Sequence, residues 1–150
     1  MATLKISDLS VGDWVKVKKC AYFPLDKPNN FISNYAKITA IEDENCTIWL
    51  KTNVGEFCAS LKNVEPIPIT AEILEKNGFE KGHRGCFYHY LRLDKNRTLY
   101  IHASTNGWRV EITYDAAGIL RTTHLMPDMN SVHDIQHALR LAGVDKEINL

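Results

Sequence analysis

The stretch CFYHYLRLDKNRTLYIHASTNGWRVEITYDAAGILRTTH (86–124) decides the fold of the second half of the chain. Apolar and polar residues alternate through four segments, 86–93, 97–103, 108–114 and 118–124. Alternation with a period of two is typical of strands that bury one face. The short connections contain Asn, Asp or Gly, which are the residues that tight turns favour. The stretch therefore predicts a four-stranded antiparallel meander.

A helix is predicted on each side of this meander. Before it, Thr70 is a good N-cap, Glu72 suits the positive first turn, and Gly78 is a natural stop. After it, the segment SVHDIQHALRLAG (131–143) carries one apolar stripe along a helix. Because two helices can cover one apolar sheet face, we expect residues 67–150 to form a two-layer α-β-β-β-β-α module.

The first half of the chain predicts short strands. Val15 and Val17 alternate with lysines in one segment, and Ala36, Ile38 and Ala40 share one side of the next. A third segment follows the same rule. There, Cys46, Ile48 and Leu50 are predicted on one side and Trp49 on the other.

The opening DLSVGDWVKV (8–17) resembles the entry of SH3-like barrels, where a Gly-Asp turn leads into the first strand. Short strands with frequent turns are typical of small barrels. We therefore expect residues 1–66 to form an SH3-like β-barrel, joined to the second module through the proline-containing segment VEPIPIT (64–70). The predicted fold class is α+β with two domains.

The polar face of the meander is the main candidate binding site. If the apolar residues Leu91, Leu99, Ile101, Val110 and Ile112 point inward, tyrosines, arginines and other polar residues occupy the opposite face. These are Tyr88, Tyr90, Arg92, Tyr100, His102, Arg109, Glu111 and Arg121. Tyrosine and arginine are enriched in interface hot spots, and aromatic sheets with nearby cations stack single-stranded bases. The alternatives are a protein-contact face, a nucleic-acid platform and an ordinary solvated face.

The barrel offers a second candidate in Trp49. The predicted loop 22–34 and the strand after it add Tyr22, Phe23, Phe31 and Tyr35, and SH3-like barrels use loop aromatics of this kind to bind peptides. A core position for Trp49 is the alternative.

Two histidines four residues apart, His133 and His137, have the spacing of a zinc-protease helix. Asp134 stands beside the first, where such a helix has glutamate, and Arg140 is a neighbouring cation that weakens metal binding. A helical wheel places the pair opposite the apolar stripe. We therefore expect a solvated helix face and no metal, with the pair as a weak candidate. His89, on the apolar side of its strand, is expected to be a hydrogen-bonded core histidine.

Composition argues against several functional classes. The chain has 18 basic and 18 acidic residues and no net charge, whereas nonspecific nucleic-acid or membrane binding normally needs a basic excess. It has no signal-peptide pattern and no long apolar run, so we expect a cytoplasmic protein without a membrane partner. Its four scattered cysteines are expected to be structural thiols. Phosphate loops, nucleophile elbows and paired carboxylates are absent from the sequence, which predicts no cofactor and no catalytic site.

The segments NVEPIPITAEILEKNGFEK (63–81) and SVHDIQHALRLAGVDKEINL (131–150) resemble a family of small uncharacterised proteins. That family occurs in gut Bacteroidales, their phages and mobile elements, and its members also open with a segment like LKISDLSVGDWV (4–15). The resemblance brings no activity, cofactor or site residue. It implies a cytoplasmic accessory protein linked to a phage or mobile element. We expect a non-enzymatic protein that binds an unknown protein partner. The alternatives are a nucleic-acid-associated accessory protein and a metal-dependent hydrolase using His133 and His137.

Overall fold

The structure, a computed structural model, shows an α+β protein that is mostly β, with two sheets and two short helices. It describes residues 4–18, 35–42, 47–53, 55–83, 88–116 and 119–150. The chain divides into two compact units, Met1–Ile67 and Pro68–Leu150. The predicted loop 22–34 and Cys46 lie outside the described residues.

The first unit contains a curled, barrel-like antiparallel sheet. Its strands are β1 (Trp14–Val17), β2 (Tyr35–Glu42), β3 (Thr47–Thr52), β4 (Gly55–Ser60) and β5 (Val64–Glu65). They lie in the order β4-β3-β2-β1-β5. Single 3₁₀ turns at Ile6–Asp8 and Leu61–Asn63 precede β1 and β5.

A tight turn leads into β1, as the Gly-Asp pair predicts. Gly12 has a φ of 93°, which favours glycine. The buried Asp13 carboxylate accepts a 2.7 Å hydrogen bond from the backbone N–H of Ser10, and the Asp13 N–H donates to the Ser10 carbonyl at 3.1 Å. This reciprocal pair fixes the direction in which β1 starts.

The core of the first unit follows the predicted alternation with one exception. Val15, Ile38, Ile48 and Leu50 are all buried, which confirms their predicted inward positions. The prediction for Ala40 is wrong, because the pairing of β2 with β3 shifts between residues 38 and 40. A bulge inserts one extra residue and reverses the side on which later residues lie. Ile41 therefore packs against the core in place of Ala40.

The second unit begins with α1 (Ala71–Lys76) and ends with α2 (Val132–Leu141). As predicted, the Thr70 hydroxyl caps α1 by accepting from the Ile73 N–H at 3.3 Å. Between the helices, the antiparallel sheet runs in the order β10-β9-β8-β7-β6. Its strands are β6 (Glu80–Lys81), β7 (Tyr88–Arg92), β8 (Arg97–Ser104), β9 (Gly107–Ala116) and β10 (Ile119–Met129).

The sheet therefore has five strands among the described residues, where four were predicted. The additional strand, β6, contains only two residues, which is too short to show an alternating pattern. It pairs with β7 at the edge of the sheet.

Pairing between strands brings the apolar positions of the meander onto one face. Leu99 is opposite Ile112, and Ile101 is opposite Val110; all four are fully buried. Helix α2 buries its predicted stripe of apolar residues. That stripe consists of Val132, Ile135, Ala138, Leu139 and, just past the last turn, Ala142. Among the described residues, no helix is long and apolar enough to cross a membrane.

Helix α2 provides a direct test of this core. Leu139 is fully buried, whereas Leu141, on the same helix, is 68% exposed. We expect Leu139→Ala to lower the free energy of unfolding by about 2–5 kcal/mol because it leaves a cavity. Leu141→Ala is the matched control and should change it by less than about 0.5 kcal/mol. Urea unfolding followed by circular dichroism measures both, and equal losses would contradict the placement of the stripe.

Candidate functional site

Four aromatic side chains meet on one face of the second sheet, and we call Tyr88, Tyr90, Tyr100 and His102 the tyrosine face. The Tyr88 ring centroid lies 5.7 Å from that of Tyr100 and 5.5 Å from that of His102. The centroids of Tyr90 and Tyr100 are 6.1 Å apart. The four side chains are half-buried. The structure thus brings together four of the residues that the sequence predicted for this face.

Strand register explains this grouping. Tyr88 is opposite His102, and Tyr90 is opposite Tyr100, across the β7–β8 pair. Directly opposed residues of an antiparallel pair point to the same face and lie close enough for their rings to touch. Since Leu99 and Ile101 fill the buried face of β8, the residues between and beside them must lie on the other face.

One flanking residue of the tyrosine face, Glu80, was not predicted from the sequence. It lies on β6 opposite Tyr90, and its carboxylate accepts a 2.5 Å hydrogen bond from the Tyr90 hydroxyl. This bond is the main reason that the pKa of Tyr90 is raised above its ordinary value. The sequence offers little signal for Glu80. It follows the apolar Phe79, but a strand of two residues is too short to form a recognisable alternating pattern.

The backbone at Gly82 packs against the Tyr88 ring of the tyrosine face. The Gly82 N–H donates to the Tyr88 carbonyl at 2.9 Å, which extends the β6–β7 pairing by one residue. A Cβ atom at Gly82 would lie 2.6–2.8 Å from atoms of the Tyr88 ring. The Tyr88 ring therefore occupies space that any other residue at position 82 would fill.

The charged residues around the face are partly as predicted. Arg92 shares the parity of Tyr90 on β7, and the exposed Arg109 is opposite His102. Glu111 is opposite Tyr100, and its carboxylate lies 3.5 Å from His102 Nε2. Acidic and basic groups therefore alternate along the margin of the face.

The placement of Arg121 on this face is wrong. Arg121 on β10 is opposite Tyr114, and Tyr114 in turn is opposite Arg97. This register gives Arg121 the parity of Leu99 and Ile112, which belong to the buried side of the sheet. Near the end of the β9–β10 hairpin that side is open, so Arg121 is exposed there and not beside the tyrosines.

The expectation of a solvated histidine pair on α2 is wrong for His133. His133 is only 5% exposed, and Gln136 on the same helix is 4% exposed. The Ser131 hydroxyl oxygen lies 2.9 Å from His133 Nδ1. The ring centroids of His133 and His137 are 6.0 Å apart. Within the part of the chain that the structure describes, no group of three potential ligands could hold a metal ion.

Asp134 has a structural task rather than that of a general base. Its Oδ2 atom accepts hydrogen bonds from the Ser131 hydroxyl at 2.6 Å and from the backbone N–H groups of Asn130 and Ser131, both at 3.0 Å. Since the one hydroxyl proton of Ser131 goes to Asp134, the Ser131 oxygen is left to accept from a ring N–H of His133, whose Nδ1 and Nε2 atoms lie 2.9 and 3.2 Å away. The resemblance of this segment to a protease helix therefore reflects the capping of α2.

His89 occupies the predicted apolar side of β7 and is 5% exposed. The expectation that it is hydrogen-bonded is wrong, because neither ring nitrogen has a hydrogen-bond partner among the described residues. The Glu75 carboxylate of α1 lies 3.6 Å from Nε2. The Trp108 ring packs edge-on at a centroid distance of 6.2 Å. His89 is thus a core residue with unsatisfied polar atoms.

Trp49, the other candidate, belongs to β3 in the first unit and so is not part of the tyrosine face. It is 40% exposed, which excludes the core alternative. Its indole Nε1–H donates to Glu42 at 3.1 Å, and the exposed Cys58 is opposite it on β4. Of the aromatic residues predicted to accompany it, Tyr35 is half-buried at the start of β2, and Tyr22, Phe23 and Phe31 lie outside the described residues.

A surface depression of about 430 Å³ lies at the start of β8, beside Arg97 and Tyr114. Its polar groups already make structural contacts. Arg97 Nε donates to Asp94 at 2.6 Å, which lowers the pKa of Asp94, and Arg97 Nη1 donates to the carbonyl of Ala142 after α2 at 3.0 Å. These contacts hold the turn before β8 to the residue after α2. We therefore do not assign a ligand to this depression.

Comparisons with known proteins found no match among family models, curated proteins or solved structures. The tyrosine face consequently rests on its geometry alone.

Gly82→Ala tests how the face is held. We expect the new methyl group to displace the Tyr88 ring, which changes the ring-proton chemical shifts of Tyr100 and His102 and lowers the free energy of unfolding by about 1 kcal/mol. The double variant Gly82→Ala/Tyr88→Ala is the control, because the cost of the methyl group should vanish once the ring is removed. Additive losses in the two backgrounds would contradict the contact.

His89→Leu tests the buried histidine. We expect the free energy of unfolding to rise by about 1 kcal/mol, because an apolar side chain replaces two buried polar atoms without partners. Ile101→Ala, at the position opposite His89, is the control and should lower it by about 2–5 kcal/mol. A loss of stability in His89→Leu, measured by urea unfolding at pH 8, would contradict the expected cost of the unpaired ring nitrogens.

Proposed function

We propose that this protein is a non-enzymatic interaction protein that binds a protein partner through the tyrosine face. The observation that carries the proposal is a cluster of four half-buried aromatic rings on one face of the second sheet, in which the centroids of neighbouring rings are 5.5–6.3 Å apart. Tyrosine provides a large and rigid contact area at low conformational-entropy cost, and clusters of it are typical of binding hot spots.

The charges beside the rings favour a protein over a nucleic acid. Glu80 and Glu111 flank the tyrosines, and Arg92 and Arg109 lie next to them, so the face has two acidic and two basic side chains. A nucleic-acid surface needs a net positive charge to release counterions from the phosphates. A mixed, balanced set of charges matches the polar rim of a protein interface.

A nucleic-acid-associated role is the second candidate. The contacting tyrosine rings and the exposed Arg109 favour it, because bases stack on such rings beside a cation. The carboxylates of Glu80 and Glu111, which flank the tyrosines, oppose it because they repel phosphates. The third candidate, a metal-dependent hydrolase, has lost its main support, since His133 is buried against Ser131.

We also infer that the first unit is an SH3-like barrel, which the Gly12-Asp13 turn and the strand order support. The link to gut Bacteroidales, their phages and mobile elements, and a place in the cytoplasm, remain predictions from the sequence. They suggest the lysate in which to search for a partner.

Capture from a lysate tests the proposed function. The full chain, immobilised through a terminal biotin tag, is incubated with nuclease-treated lysate of a gut Bacteroidales bacterium, and the retained proteins are identified by mass spectrometry. We expect a specific protein to be retained by the unaltered chain and to be lost with Tyr90→Ala/Tyr100→Ala. Removing two half-buried rings at the centre of an interface costs binding energy of about 2 kcal/mol or more.

Trp49→Ala is the matched control, because it removes an exposed aromatic side chain from the other unit. It should retain the partner, and all variants should show the circular dichroism spectrum of a folded chain. Retention of the same protein by the double tyrosine variant would contradict the proposed face. A parallel capture from untreated lysate is included, and retention seen only there would favour the nucleic-acid role instead.

A further inference from the structure

A single row of side chains crosses the tyrosine face at right angles to the strands. Glu80 is opposite Tyr90, Tyr90 is opposite Tyr100, and Tyr100 is opposite Glu111. We call these four residues the middle row. Neighbouring members have Cβ atoms about 5 Å apart. Two phenol rings are therefore placed side by side between two glutamates, and the pairing continues beyond Glu111 to His124 on β10.

A hydrogen bond to Glu80 fixes the hydroxyl group of Tyr90. Because its hydroxyl donates to Glu80, the phenol is held neutral and its oxygen is committed to a carboxylate. On the other side of the ring pair, Glu111 lies 3.5 Å from His102 Nε2, and its side chain is 20% exposed. The row thus combines electron-rich ring faces with a carboxylate on each side of the ring pair.

We propose that the middle row binds a cationic side chain of the partner: lysine, arginine or methylated lysine. This inference rests on the proposed function and names the chemistry of the contact. An ammonium or guanidinium group over the face of a tyrosine is attracted by the ring quadrupole, and a carboxylate within about 6 Å adds to that attraction. An anionic group in the same place is repelled by Glu80 and Glu111.

The arginines confine this site to the middle row. Arg92 is opposite Thr98 in the neighbouring row on one side, and Arg109 is opposite His102 in the neighbouring row on the other. A partner cation over either of those rows would meet a like charge. Over the middle row, it lies between the two glutamates.

Synthetic peptides test this inference. Acetyl-Gly-Ser-X-Ser-Gly-amide, with X being lysine, trimethyllysine, arginine, norleucine or glutamate, is titrated into the isotope-labelled full chain, and backbone amide shifts are followed by NMR. We expect the three cationic peptides to shift resonances of β7, β8 and β9 and to bind about fivefold more tightly than the norleucine peptide, which has a similar length but no charge. The glutamate peptide should bind most weakly.

Glu80→Gln/Glu111→Gln should reduce the binding of the lysine peptide to the level of the norleucine peptide. Glu56→Gln/Glu72→Gln is the matched control, since it removes the same charge from exposed positions on β4 and α1. Equal binding of lysine and norleucine peptides, no shift with any peptide, or no effect of the Glu80/Glu111 change would each overturn the inference.

The same variants separate this inference from the proposed function. If the captured partner is lost with Tyr90→Ala/Tyr100→Ala but fully retained with Glu80→Gln/Glu111→Gln, the face binds a protein and the cation inference is wrong. If every variant retains the partner, the proposed function itself fails.

Discussion

The register between β7, β8 and β9 is the constraint on which the second unit depends. Leu99 and Ile101 are fully buried, and a slip of one residue would expose both and bury tyrosines in their place. Because the slipped arrangement would expose apolar side chains to water, only one register is stable. The same register that builds the core therefore also assembles the tyrosine face.

Much of this arrangement can be predicted from the sequence because it follows from local periodicity. The inward positions of Val15, Ile48 and Leu99 follow from alternation, and the buried side of α2 follows from its stripe. The contact between Tyr90 and Tyr100 needs one step more, the register of a hairpin, which the short turn after β7 restricts. Each of these properties is decided within a few residues of the chain.

The properties that could not be predicted depend on distant residues or on single insertions. The helical wheel predicts that His133 is exposed, but the residue is buried. Its burial depends on the residues that pack against α2, and the sequence pattern of the helix does not identify them. Strand alternation alone predicts the wrong face for Arg121, because the pairing of β10 with β9 determines that face. Ala40 lies past a bulge in β2, which reverses the expected side. Glu80 joins the site through a strand of two residues. Alternation predicts faces reliably only where register is unbroken.

The close approach of Gly82 to the Tyr88 ring affects the cost of association. A ring pressed against backbone on one side and against Tyr100 and His102 on the others has few rotamers to lose. Ordering a mobile side chain on binding costs about 0.5–1.5 kcal/mol, and here that entropy is already lost during folding. The absence of one methyl group from the backbone thus prepares the binding surface before any partner arrives, and association need not wait for the surface to rearrange.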